Sequence, residues 1–284
     1  MMSTVKLLVA LLVVLGVVIG CVWWYMAASM APETAIEKRD LAWLKQILTD
    51  TPERAHYRDL YGYTLMHTAA VVDFPEAIAL LAEAGVSVNA SCSLSDAELE
   101  SLKDLARDEG RRPDNVVWSY QETEGMTPLH FAVIFHSHGA LRELMRLRAD
   151  VNALTPRRES PLFWAGRSWN AEAVPILVAS GAEVNVQTLI GHKTPLHAVF
   201  DAFPEKPLLG LGDGFLWDFA QKYYPLKSQA TDSRRKVVKA LLQAGVDHAK
   251  PNLDGKTAAE LCPASEVTEC FGSILSAERP PDNE

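Results

Sequence analysis

From Leu7 to Met26 the chain carries no charge and is almost wholly apolar. At about 1.5 Å rise per residue, such a run of about 20 residues spans a hydrocarbon core of about 30 Å. Lys6 and the free amine precede it, and Trp23, Trp24 and Tyr25 close it as aromatic residues do at a membrane interface. Three expectations compete for residues 7–30: an uncleaved transmembrane anchor, a cleaved signal peptide, or a lipoprotein signal in which Val18, Ile19, Gly20 and Cys21 form the lipidation box. Val22 to Met26 stay apolar where a mature lipoprotein turns polar, which favours the anchor. Residues 1–6 are then an inside tail. The rest of the chain is expected outside, in a bacterium in the periplasm as a single-pass inner-membrane protein, with a lipoprotein held at Cys21 as the alternative.

Beyond the run, apolar positions recur at helical spacing and two short elements repeat. Thr64-Leu65-Met66-His67 returns as Thr127-Pro128-Leu129-His130, Ser160-Pro161-Leu162-Phe163 and Thr194-Pro195-Leu196-His197, with a degenerate copy at Thr257 to Glu260. The steps from Thr127 to Ser160 and Ser160 to Thr194 are 33 and 34 positions, whereas Thr64 to Thr127 and Thr194 to Thr257 are 63 each. Downstream of each lies a second element: Gly85 to Asn89, Arg148 to Asn152, Gly181 to Asn185 and Gly245 to Ala249. Thr or Ser caps a helix, Pro fits its first turn, and Gly takes the left-handed conformation that stops the next one. One helix pair cannot bury its own apolar face, so neighbours must stack. Ala35, Leu41, Leu44, Ile47 and Leu48 predict a capping pair at one end, and Ala258, Leu261, Phe271, Ile274 and Leu275 at the other.

Both elements, at a period of about 33, resemble the ankyrin-repeat family in its bacterial, membrane-anchored or periplasmic type. The resemblance covers residues 31–277 apart from two insertions, at 91–123 and 204–232, and leaves 278–284 as a flexible tail. It implies an all-α solenoid of about five to six repeats with two insertions, preceded by a single N-terminal transmembrane helix. It also implies binding through hairpin tips and the concave face of the first helices. Carried over by position, that face presents Tyr61, Tyr63, Glu124, Met126, Phe135, Arg157, Arg158, Glu159, Arg167, Trp169, Lys193 and Asp201. Aromatics and arginines suit a protein partner better than a small polar ligand, although the set also fits ordinary solvated tips. In the family the histidine of the motif ties neighbouring loops together. This assigns His67, His130 and His197 to structure rather than to catalysis. Three departures stand out: Arg148 replaces a stop glycine and should strain or reshape that turn, Phe163 takes a histidine place, and Arg157 with Arg158 sits where a tip carries Asp and Gly.

Within the first insertion Ser95 to Glu98 reads as a capping box for a helix with Leu94, Leu99, Leu102 and Leu105 on one side, followed by Trp118 and Tyr120. The second gathers Phe215, Trp217, Phe219, Tyr223 and Tyr224. It is either a small core packed on the stack or a partner-binding lobe whose anchors are Trp217, Tyr223 and Tyr224.

Composition narrows function further. Among 284 residues the net charge is −9, which argues against nucleic acid and suits a basic partner. No phosphate loop, dinucleotide fingerprint, nucleophile elbow or zinc-protease helix occurs, so an enzyme, a cofactor and a small-molecule substrate are not expected. His130, His136 and His138 cluster without matched ligand spacing, and no metal is expected. Cys262 and Cys270 either close a disulfide in an oxidising compartment or are two small core residues. The expected function is a membrane-tethered module that captures or inhibits a protein such as a basic effector or enzyme, as an immunity protein does. The alternative is a scaffold or stress-protection protein supporting a periplasmic enzyme.

Overall fold

The computed structural model describes residues 31–108, 110, 112, 120–201 and 230–277. Within them the chain forms helix pairs: α1 (Pro32–Glu37) with α2 (Leu41–Asp50), α3 (Leu65–Val71) with α4 (Pro75–Glu83), and, after the insertion helix α5 (Asp96–Asp108), α6 (Pro128–Ile134) with α7 (His138–Arg146). Then follow α8 (Pro161–Arg167) with α9 (Ala173–Ala179), α10 (Pro195–Ala198) with α11 (Ala230–Gln243), and α12 (Ala258–Leu261) with α13 (Val267–Ala277). Among the described residues there is no strand, only one isolated bridge from Arg58 to Thr64.

The first helices pack on one another in chain order, α1 on α3, α3 on α6, α6 on α8, α8 on α10 and α10 on α12, and the second helices form a parallel row outside them. One apolar core therefore runs from Ala35 and Ile36 through Leu65, Leu129, Leu162 and Leu196 to Phe271. The leucine of each repeated motif is at most 1% exposed, because it points between two first helices. The rows approach closely: a Cβ on Gly166 of α8 would collide with the Pro195 carbonyl oxygen of α10.

Turns explain the regular pairs. Arg39, Asp73, His136 and Trp169, each between a first helix and its partner, hold φ of 53–56°. Second helices end on Gly85, Gly181 and Gly245 at φ 81–91°, and Arg148 takes the same place at φ 60°. The expected change of geometry at Arg148 is not found: its N–H donates to the Met145 carbonyl at 3.0 Å, as Gly85 donates to Ala82 at 3.0 Å. The strain remains, since a side chain is held in the left-handed region.

Insertion one keeps the expected capping box, with Ser95 N–H and Oγ–H each 2.7 Å from a Glu98 carboxylate oxygen. Leu102 and Ala106 of α5 bury against Tyr61, Leu94 and Leu99. Its two ends belong to the stack, however, since Cys92 N–H donates to the Met126 carbonyl at 2.9 Å and Gly125 N–H to that of Cys92 at 2.7 Å. The end of insertion two also moves, because α11 already begins at Ala230. Among the described residues no helix is long and apolar enough to cross a membrane. Residues 7–26 with Cys21, and also Trp118, Trp217, Tyr223, Tyr224 and the tail 278–284, lie outside the described residues.

Candidate partner-binding surface

Each tip is fixed by the histidine of its motif. Thr64 N–H and Oγ1–H approach His67 Nδ1 at 3.0 and 2.9 Å, while His67 Nε2–H donates to the Met126 carbonyl of the next tip at 3.2 Å. His130 bonds Thr127 in the same way and reaches the Glu159 carbonyl at 3.2 Å; His197 bonds Thr194 and reaches the Lys256 carbonyl at 3.0 Å. This pattern needs a neutral ring with the proton on Nε2. Burial supplies it, pushing His67 down to about 3 and His130 to about 4, and lowering His197 as well. In the fourth pair Phe163 offers no such bridge, and Ser160 Oγ accepts only the Phe163 N–H, at 3.1 Å.

On the other side of each loop the asparagines form a second ladder. Asn89, Asn152 and Asn185 accept through Oδ1 from the N–H of Asp150, Glu183 and Asp247, all at 2.8 Å. The sequence places these asparagines at the end of the second repeated element, and their span to the next repeat is visible only in the fold.

With the tips so placed, the expected binding residues divide. Tyr63, Met126, Phe135, Tyr120 and Glu159 are buried, at 4, 0, 2, 3 and 7% exposure, which corrects their assignment to a contact face. Tyr63 stacks edge-on against Phe131 at 5.3 Å and its hydroxyl pairs with Thr123 Oγ1 at 2.8 Å; burial raises its pKa well above the usual phenol value. Phe135 lies flat on Phe131 at 6.2 Å, and the Tyr120 hydroxyl accepts the Leu94 N–H at 2.8 Å. These rings join repeats to one another and to insertion one. Position within the motif could not reveal that, because the partners, Phe131 for Tyr63 and the Leu94 N–H for Tyr120, are met only in the folded stack.

Tyr61, Glu124, Arg157, Arg167, Trp169, Lys193 and Asp201 are half-buried, and Arg158 is exposed. Several already have partners inside the chain. Lys193 pairs with Asp201 at 2.6 Å, Trp169 Nε1–H donates to the Val199 carbonyl at 2.9 Å with Arg234 over its ring, and Arg167 lies over Trp164 at 5.2 Å. Arg157 pairs with Glu122 at 2.9 Å. Around that pair Gln121, Glu122, Glu124, Thr155, Pro156, Arg157 and Glu159 line a notch of about 200 Å³. Three carboxylates face one guanidinium there, and burial raises the pKa of Glu159.

The tips themselves carry what the motif did not predict. Leu189, Ile190 and Leu253 are 62, 69 and 66% exposed. Leu189 N–H donates to the Arg157 carbonyl at 2.8 Å and Leu253 N–H to that of Gly191 at 2.9 Å, so three successive tips sit side by side. Hydrophobic residues at helical spacing mark the core, but these stand in turns, where period carries no signal.

Cys262 and Cys270 are free thiols buried in the core, the second of the two arrangements open to them in the sequence. Burial pushes Cys262 up to about 12 and raises Cys270.

Among the described residues six helix pairs stack, four of them opened by a capping box and three tied to the next tip by a histidine, and residues 91–188 match the family model of ankyrin repeats in 3 copies. Over that stretch the chain is similar to ankyrin repeats. Over 138 residues it is 28% identical to neurogenic locus notch homolog protein 2 of Homo sapiens and, to the same extent, of Mus musculus. Each match covers 45% of this chain and 5% of the relative, so what is shared is a short part of a far longer protein. Ankyrin repeats are a protein-interaction module, generally without catalysis, and the stack presents its tips as such a module does.

Proposed function

We propose that the repeats capture a protein partner along the ridge of Leu189, Ile190 and Leu253, with the half-buried Glu122 and Glu124 of the notch receiving a lysine or arginine of that partner. The observation that carries this reading is the ridge itself, three large aliphatic side chains more than three-fifths exposed on adjacent ordered tips. Clustered exposed aliphatics of this kind mark interaction sites rather than chance exposure. A basic effector or enzyme fits the acid-lined notch and the net charge of −9.

The finer proposal sets this module in a bacterial envelope. Residues 7–26 tether it as a single span in the inner membrane with the repeats in the periplasm, or Cys21 does so as a lipid anchor, and the captured protein is a secreted toxic enzyme held inactive. Support comes from the uncharged run, the charge on its flanks and the acidic repeats. A scaffold for a periplasmic enzyme is the alternative; if loss of the chain harms cells only while a neighbouring toxin gene is intact, the scaffold reading is rejected.

The direct test compares the full chain with a Leu189→Asp/Ile190→Asp/Leu253→Asp variant in cross-linking from envelope extracts. One stoichiometric protein should be recovered with the parent and lost with the variant. Equal recovery by both sinks the ridge. A C-terminal reporter active only in the cytoplasm would reject the periplasmic placement.

A further inference from the structure

At the end of the stack farthest from the first helix pair, three side chains that the tip ridge does not use converge. Cys262 follows α12 in extended conformation, at φ −65° and ψ 136°. Pro263 opens a turn closed by the Glu266 N–H at 2.8 Å, and Cys270 N–H donates to the Glu266 carbonyl at 2.9 Å, so Glu266 and Cys270 share one helical face. The spacing Cys-x3-Glu-x3-Cys thereby becomes a cluster in which both sulfurs and a carboxylate oxygen lie within 4.8 Å of one another. Their residues are 7, 8 and 6% exposed.

Glu266 is oriented from behind. Arg234 Nη2 and Nε donate to its two oxygens at 2.6 and 2.9 Å, and the Thr231 hydroxyl adds a third bond at 3.0 Å. A carboxylate has about four lone-pair sites. Oε1 accepts from Arg234 and Thr231, whereas Oε2 accepts only one bond, leaving a lone pair there for a further ligand. We propose that Cys262, Glu266 and Cys270 bind a thiophilic divalent cation of the zinc class, with water in the fourth position.

Donor chemistry and charge both support this. Two thiolates with one carboxylate are a borderline-soft set that selects zinc-like ions over magnesium or calcium. Binding is M²⁺ plus two thiols giving a metal dithiolate and two protons, with no change of oxidation state. The three anionic ligands and the cation sum to −1, and the Arg234 guanidinium brings the cluster to neutrality. A tetrahedral site with metal–sulfur bonds of about 2.3 Å needs sulfurs about 3.8 Å apart, inside the 4.8 Å that bounds the cluster. Access exists: Cys270 forms part of the wall of a groove of about 770 Å³ between α11 and α13. The set contains no histidine, so the spacing of histidines in the sequence does not point to it.

Cobalt titration of the purified full-length chain, in detergent with a phosphine reductant, tests the site. The expected result is one Co²⁺ per chain, with a thiolate-to-cobalt charge-transfer band in the near ultraviolet, tetrahedral visible bands, release of two protons, and displacement by Zn²⁺. Cys262→Ser/Cys270→Ser, checked for native circular dichroism, should lose the band. Glu266→Gln, which keeps an oxygen for Arg234, should retain the band and bind more weakly. No charge-transfer band in the reduced parent chain, a band surviving in the double serine variant, or unchanged affinity in Glu266→Gln would each overturn the proposal.

Discussion

Arg148 and the motif histidines show what single residues contribute. A side chain at φ 60° costs about 1–2 kcal/mol relative to ordinary conformations, and glycine gives back part of that gain as unfolded-chain entropy. Arg148→Gly should therefore stabilise the stack by about 0.5–1 kcal/mol, read as a shift of the urea midpoint at unchanged slope. The histidines act in the opposite sense on acidification. His67 and His130, depressed to about 3 and 4, take up protons on unfolding below about pH 6.5, so their contribution is intact at neutral pH and is lost as pH falls toward those values. Each removes about 1.4 kcal/mol per pH unit in that window. Asp59, raised to about 6 by burial, offsets one part, because the folded chain holds its proton while the unfolded chain has lost it. Melting temperature should still drop clearly between pH 6.5 and 4.5, and a flat profile would contradict the buried neutral rings. Both the threonine caps and the histidine spacing were legible in the sequence; the recipients of the Nε2 bonds, 29 or 59 residues away, were not.

Helix pairs behave as units whose spacing depends on small residues. Gly166 lets α8 meet the Pro195 carbonyl of α10, and a methyl group there has to displace backbone rather than a flexible side chain. Gly166→Ala should cost about 1–3 kcal/mol, measured by chemical denaturation, and a neutral result would mean that the two helices separate more easily than the packing implies. The inter-repeat asparagines make a milder case. Asn152→Ala removes the acceptor for Glu183 N–H and the donor to the Gly181 carbonyl, and an exposed loop can recruit water in their place. About 0.5–1.5 kcal/mol is expected from that change. Insertion one shows how a tip position can be altered: Leu102 and Ala106 of α5 pack against Tyr61, which is half-buried as a result.

At the scale of the whole molecule, a stack of this kind separates stability from recognition. Core leucines lie between first helices, whereas Leu189, Ile190 and Leu253 touch the solvent on tips already fixed by backbone bonds. Replacing those three by aspartate should leave unfolding free energy within about 0.5 kcal/mol per site while abolishing partner capture, a dissociation that a merely destabilised variant would not show. Thermal melting alongside the cross-linking assay distinguishes the two.

The repeated motif by itself determined the helix pairs, their order and their stacking, because each copy encodes a cap, an inward leucine and a stop within about 33 residues. It determined neither the contact surface nor the cluster at Cys262, Glu266 and Cys270. Those depend on where the chain returns in space: the Phe131 ring that packs on Tyr63 across 68 positions, the tips that line up Leu189 with Leu253, and the Arg234 side chain that reaches Glu266 across 32 positions. Local propensity acts over a few residues, whereas exposure and ligand convergence are properties of neighbours that only tertiary packing brings together.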